Sequence, residues 1–250
     1  MQTSGNTILI TGGGSGIGRG LAEAFHRLGN QVIIAGRRQA ALDAVTSANP
    51  GMAGFSVDMA DKAAIAGFAQ RVIAAFPGLN GVINNAGIMV DEAVLDAPGY
   101  LETAEATIAI NLLGPIRLTA ALLPHLLQQP KAAVLTVSSG LAFVPRASTP
   151  SYSASKAAIH AYSQSLRYQL RHTAVEVIEL APPYVQTFLQ GERQASDPNA
   201  MPLEAYIAET MALLASAPAN GEILVERVKR QRFAAETGNF SAVFDFINPA

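Results

Sequence analysis

Short runs of nearly unbroken apolar residues recur along the chain: NTILIT (6–11), QVIIAG (31–36), AGFSVD (53–58), GVINNAG (81–87), AAVLTVSS (132–139) and VEVIELAP (175–182). Between them apolar positions return with helical spacing, as in Ile17 to Leu28, Lys62 to Phe76 and Thr103 to Leu127. A strand that is apolar throughout needs cover on both faces, and strands alternating with helices obtain it in a parallel sheet with helices above and below. The pattern predicts an α/β fold with a doubly wound parallel sheet, in a single domain over residues 1–250. No repeat of fixed period and no low-complexity linker divides it.

After the sixth run the pattern changes. PPYVQTFLQGERQASDPNAMP (182–202) is rich in polar and turn residues and reads as a long excursion. Excursions of this length in a compact domain are often lids, so a helical lid is expected over about 183–217. Helical spacing returns at Leu203, breaks at Pro218 to Gly221 and continues through EILVERVKRQRFAA, which predicts a helical tail over about 219–250. The aromatic and branched residues of NFSAVFDFINPA predict that the tail packs on the body.

Composition narrows the function classes. Half the residues are hydrophobic, and 17 Lys and Arg against 19 Asp and Glu leave a net charge of −2, with no basic stripe for nucleic acid. The densest cationic stretch, ERVKRQR (226–232), reads as the wet face of a helix. There is no cysteine, hence no disulfide framework and no thiolate nucleophile. No targeting segment or membrane span is read, and a soluble cytoplasmic protein is expected. His26, His125, His160 and His172 have no second ligand at i+3 or i+4, so no metal site is expected.

Candidate chemistry gathers at the ends of the apolar runs. TGGGSGIG (11–18) joins the first run to the first helical segment. Gly12, Ser15, Gly16, Ile17 and Gly18 thus lie where backbone N–H groups and a helix N-terminus can hold a dinucleotide phosphate. The second run ends in Gly36-Arg37-Arg38, where an acid would bind the adenosine ribose. Guanidinium groups suit a 2′-phosphate, so NADP(H) is favoured, with NAD(H) possible. Asp58, with Met59 next to it, is expected beside the adenine, and Asp61 competes as a helix N-cap. At the ends of later runs lie Asn85-Ala86-Gly87, Ser139, and Pro182 with the segment after it. Tyr152 and Lys156, at i and i+4, share a helix face. A ketone accepting hydride needs a proton; Tyr152 can supply it, an ammonium on Lys156 is expected to lower the phenol, and Ser139 can hold the oxygen.

TGGGSGIG, NNAG, Asn111, Ser139 and Tyr152-x-x-x-Lys156, in this order, resemble the short-chain dehydrogenase/reductase family over about residues 5–190. The resemblance implies a Rossmann-like fold and an oxidoreductase acting on a small-molecule ketone or secondary alcohol. It also implies Tyr152 as acid/base, Ser139 as binder of the substrate oxygen, Lys156 on the nicotinamide ribose and Asn111 in a proton relay. Ser139 is preferred to Ser138 because the family separation of thirteen residues to the tyrosine fits it. NNAG would lie along the cofactor, with Val185 and Thr187 at the carboxamide. The tail resembles a bacterial subgroup labelled for lipoteichoic acid alanylation.

Two features depart from the family. Pro182-Pro183 stands where Pro-Gly is usual, and the usual closing strand reads here as helix, GEILVERVKRQRFAAETGNF. That strand serves a tetramer interface in the family, so a homodimer through 103–127 and 151–171 is expected. The pocket nominees are Met89, Val90, Leu141, Phe143, Val144, Pro145, Arg146, Tyr184, Phe188 and Leu189. Most are apolar, which favours a hydrophobic substrate, with Arg146 read as facing water. The alternative readings are a dinucleotide-sensing regulator without turnover, an NAD(H)-dependent dehydrogenase and a dehalogenase-type relative; Lys156 and the intact glycine loop oppose the last.

Overall fold

The computed structural model describes residues 2–216 and 220–249. Seven parallel strands form one sheet: β1 (Thr7–Thr11), β2 (Gln31–Gly36), β3 (Ala53–Ser56), β4 (Leu79–Asn84), β5 (Ala132–Val137), β6 (Val175–Leu180) and β7 (Glu222–Ile223). Their order is β3-β2-β1-β4-β5-β6-β7, so the chain reverses direction of travel across the sheet between β1 and β4. At such a switch point the connections leave to opposite faces and open a crevice at the carboxyl ends of the strands.

The apolar strands serve two cores because successive side chains point to opposite faces. Ile8, Ile10, Ile34 and Leu135 meet α1 (Gly16–Arg27), α2 (Gln39–Ala48) and α8 (Leu203–Ser216), through Leu21, Phe25, Leu42 and Tyr206. Leu9, Ile33, Val82 and Val134 meet α3 (Lys62–Ala75), α5 (Gly114–Leu126) and α6 (Pro150–Leu170), through Phe68, Leu118, Leu122 and Leu166. Asp61 caps α3 by accepting the Ala63 and Ala64 N–H groups, as its rival reading held.

The predicted helix over 103–127 forms as α4 (Leu101–Ile108) and α5 joined by a π-helical turn, Ala109–Leu113. Such a turn inserts one residue into the ladder and commonly marks a functional position. Here it holds Asn111.

Two expectations change. The lid covers only the first part of the predicted 183–217 span: α7 (Glu192–Ser196) lies in it, whereas Tyr206 of α8 is 1% exposed in the core beside α1. Residue 217 lies outside the described residues, as do Pro218 and Ala219 of the predicted break and Ala250 of the predicted tail. The closing strand is present as β7, where helix was read. It pairs Glu222 with Glu179 and Ile223 with Leu180 of β6. Two residues are too few to show a period, and two acids facing each other across a sheet read as solvated until Arg232 is seen to bind one of them. The tail beyond β7 is helical, in α9 (Glu226–Arg232) and α10 (Phe240–Ile247), and Val243, Phe244 and Ile247 pack against Val144 and Ala234.

Candidate active site

A cleft of about 940 Å³ opens at the carboxyl ends of the strands. The loop between β1 and α1 forms one end. Gly12 has φ of +69°, a region that side chains rarely adopt, and the space a Cβ would need there is held by Asn85. Gly18 does not line the cleft; it lets α1 sit against the Gly12 carbonyl, with no room for a methyl group. Gly12, Ser15, Gly16 and Ile17 face the cleft, and Ser15 at the N-cap makes no side-chain bond to the first turn of α1. The first N–H groups of a helix have no partner within it. A phosphate would complete them, so the loop fits a dinucleotide. Thr11, which the sequence reading did not single out, ties this loop to NNAG: its hydroxyl accepts the Asn85 and Ala86 N–H groups, both at 3.0 Å.

The chemical groups converge next to it. Tyr152 and Lys156 face the cleft from the start of α6, 7% and 4% exposed. Thr149 at the N-cap of α6 makes no side-chain cap bond. Glu92, from the loop after β4, caps the helix from outside by accepting the Ser151 N–H at 3.1 Å and hydroxyl at 2.8 Å. Ser139 opens the turn after β5 as its N-cap, accepting the Leu141 N–H at 3.1 Å. From the π turn, Asn111 Oδ1 accepts the Ile88 N–H at 2.9 Å, and its Nδ2 donates to the Ile88 carbonyl at 2.9 Å and the Ser155 hydroxyl at 3.2 Å. A Cβ placed on Gly87 would lie 3.2 Å from Asn111 Oδ1 and 3.8 Å from Lys156 Nζ, which shows how closely NNAG, α6 and the π turn meet. Asn111→Ala leaves both Ile88 backbone groups unpaired; urea denaturation is expected to show a loss of about 2–4 kcal/mol.

The short chain dehydrogenase family model matches residues 6–198. The chain belongs to the short-chain dehydrogenase family. It is 38% identical over 251 aligned residues to the uncharacterised oxidoreductase DltE of Bacillus subtilis, covering 99% of this chain and 98% of that one, so the likeness extends through the tail. It is also similar to a short chain dehydrogenase from Burkholderia cenocepacia solved with NADP, with 27% identity, a TM-score of 0.83 and 98% and 99% of the two chains covered. A Burkholderia phymatum member solved with NAD shares the fold at 21% identity, with a TM-score of 0.82 over 100% of this chain and 98% of that one. The protein is an oxidoreductase of this family, and a nicotinamide dinucleotide is its cofactor.

The electrostatics of this dehydrogenase differ from the sequence expectation at one point. Burial pushes the Tyr152 phenol up to about 12, and the Ser139 hydroxyl counters only part of this. Lys156 was expected to lower the phenol. Its Nζ instead donates to the Val137 carbonyl at 2.7 Å and lies 5.6 Å from the Tyr152 ring centre. Burial lowers Lys156 itself to about 8, opposed by the nearby Glu179 carboxylate.

Glu179 is an acid that the sequence reading passed over. It is 1% exposed on β6, paired with Thr136 near the end of β5. It accepts the Ser138 hydroxyl at 2.5 Å and lies 2.8 Å from His160 Nδ1. Ser138 therefore faces this network and Ser139 the cleft, as opposite-facing neighbours should. With Glu222, the His160 and Glu179 ligand atoms lie within 4.8 Å of one another, a grouping of metal-binding residue types that local spacing could not reveal. The Arg232 guanidinium takes both Glu222 oxygens, at 2.9 and 3.2 Å, so a cation from the chain already serves that carboxylate.

Most nominated residues line the cleft: Arg37, Arg38, Asn85, Ala86, Gly87, Met89, Val90, Leu141, Arg146, Pro182, Tyr184, Val185, Thr187, Phe188 and Leu189. Others do not. Asp58 lies two residues past β3 and its Oδ1 accepts the Ala60 N–H at 2.9 Å, while Met59 is buried in the core. Phe143 turns away from the cleft onto His160 and Arg232, with ring centres 4.8 Å apart and the guanidinium at 5.0 Å. Val144 is wholly buried under α10. The tail supplies wall residues that no motif announced, including Arg227, Arg230, Gln231, Phe246 and Ile247.

Proposed function

We propose that the protein is an NADP(H)-dependent oxidoreductase that interconverts a ketone and a secondary alcohol, with an apolar substrate body at the reacting carbon. The observation that carries the reading is the placement of Tyr152, Ser139 and Lys156 in one cleft between the glycine loop and an apolar wall of Met89, Leu141, Phe246 and Ile247. The bound nicotinamide would supply or accept the hydride. Tyr152 holds the proton at its phenol oxygen, Ser139 orients the substrate oxygen, and Lys156 keeps a positive charge beside them. Closure of the cleft by the lid excludes water; it is braced by Gln194, whose Nε2 donates to the Val185 carbonyl at 2.8 Å and to Thr187 Oγ1 at 3.1 Å. Arg37 and Arg38, exposed at the far end of the cleft and in no salt bridge among the described residues, favour NADP(H).

NADPH oxidation with a panel of ketones tests the activity; turnover on none of them, with NADPH bound, would overturn it. Arg37→Ala is expected to reduce the ratio of NADPH to NADH efficiency about tenfold or more. An unchanged ratio would remove the phosphate assignment. The outward faces of α4, the π turn and α6 carry Leu101, Leu113 and Tyr168, 51%, 37% and 67% exposed, which supports a homodimer through these helices. The stretch Leu101–Leu126 is long and apolar enough to cross a membrane by composition, and Leu118, Leu122 and Leu126 anchor it in the core. Light scattering giving the mass of one chain would overturn the dimer.

A further inference from the structure

Across the whole chain 17 basic side chains face 19 acidic ones, yet the cleft is lined by seven basic residues and, among the described residues, one acid, Asp197. Three of the seven are accounted for by the proposed reading, on which this inference rests: Arg37 and Arg38 lie at the adenosine end and Lys156 at the reacting centre. The other four, Arg146, Arg193, Arg227 and Arg230, line the same cleft from parts of the chain that carry neither the glycine loop nor the Arg37-Arg38 turn. They come from three separate parts of the chain: the turn after β5, α7 in the lid, and α9 in the tail.

Of the four, Arg193 reaches the single acid with its charge, and the two form no salt bridge. Asp197 is engaged locally, accepting the Tyr184 hydroxyl at 3.2 Å and the Asn199 N–H at 2.8 Å. The charges of Arg146 and Arg193 both reach the Tyr184 phenol. Arg227 donates to the Asn199 carbonyl at 3.3 Å, and Arg230 lies 4.5 Å from the centre of the Phe246 ring, which holds its guanidinium at the cleft wall. Arg146 meets a neutral partner, donating to Gln190 Oε1 at 3.1 Å. None of the four takes part in a salt bridge among the described residues. A cleft lined by one sign of charge focuses its field and concentrates ligands of the opposite sign.

We infer that the substrate is an anionic amphiphile: a ketone or secondary alcohol on an apolar body, with a carboxylate or phosphate group that these arginines receive. The apolar wall of Leu141, Phe188, Phe246 and Ile247 takes the body, and the guanidiniums take the acid by paired N–H donors. Arg227 and Arg230 are exposed, as the wet-face reading of ERVKRQR expects, and Arg146 is half-buried; that face here gains a ligand.

The test compares NADPH oxidation with 2-octanone, oxo-octanoates carrying the carbonyl at successive positions, and the matching oxo-octyl phosphates. At least one anionic ketone is expected to exceed 2-octanone by about 10–100-fold in kcat/KM, chiefly through KM, with an advantage that shrinks as salt is added. The carboxylate and phosphate arms show which acid is preferred. In Arg227→Ala/Arg230→Ala, that preference over 2-octanone is expected to collapse, and Lys at both positions to restore part of it. Binding is read without turnover by the thermal stabilisation that octanoate or octyl phosphate, but not octan-1-ol, gives the NADPH complex. Stabilisation without turnover of any ketone would overturn the carbonyl chemistry and leave the anion site standing. Equal kcat/KM for neutral and anionic ketones, or no stabilisation by either anion, would overturn this inference.

Discussion

Tyr152→Phe is expected to lower ketone reduction by about 10²–10⁴-fold while NADPH still binds, because the ring keeps its packing and only the proton donor is lost. The ring is 7% exposed and its hydroxyl faces the cleft, so the substitution leaves no cavity that could unfold the site. Activity within tenfold of the wild type would remove Tyr152 from the chemistry. The accompanying pH profile has a defined sign. The phenol, pushed up to about 12, stays protonated and able to donate throughout the accessible range. Lys156, lowered to about 8, loses its positive charge as pH rises through that value. Reduction efficiency of the free enzyme is therefore expected to be flat below about 8 and to fall above it. A profile that rises through the same region would show that the ammonium is not required.

Removal of the Glu179 charge is expected to have the second large effect. Glu179→Leu takes away the carboxylate that supports the Lys156 ammonium, and it strips Ser138 and His160 of their acceptor. Breaking a buried charge network from one side typically costs about 3–5 kcal/mol, which urea denaturation would read. The alkaline limit of reduction should move below about 8, because burial then lowers Lys156 unopposed. Glu179→Gln retains the shape and part of the hydrogen bonding, so it separates the charge from the packing: the pH limit should still move, with a smaller loss of stability. An unmoved limit in both variants would leave Glu179 with a structural role alone.

The parts that were legible before the fold was known share a physical origin. The run QVIIAG became β2 over the same residues because a central parallel strand is apolar on both faces. The glycine loop was legible because tight backbone approach and positive φ tolerate few residue types, and these lie in one short stretch. Tyr152 and Lys156 were legible because a helix brings i and i+4 to one face. Failures came where contacts are distant. Phe143 was assigned to the cleft from its nearness to Ser139, yet its ring found His160 and Arg232 instead, partners 17 and 89 residues away.

By itself the sequence determined a doubly wound sheet, and it singled out the glycine loop and the Tyr152 and Lys156 pair to which the proposed function gives the proton and the charge. These are properties of short segments, set by periodicity, by glycine and by helix geometry. Only the tertiary structure decided that two acids sit side by side on β6 and β7 with Arg232 and His160 to hold them. It alone turned the cationic stretch at the chain's far end into a wall of the cleft. Charge, unlike hydrophobic period, has no meaning until the fold establishes which charges are neighbours and how much water lies between them.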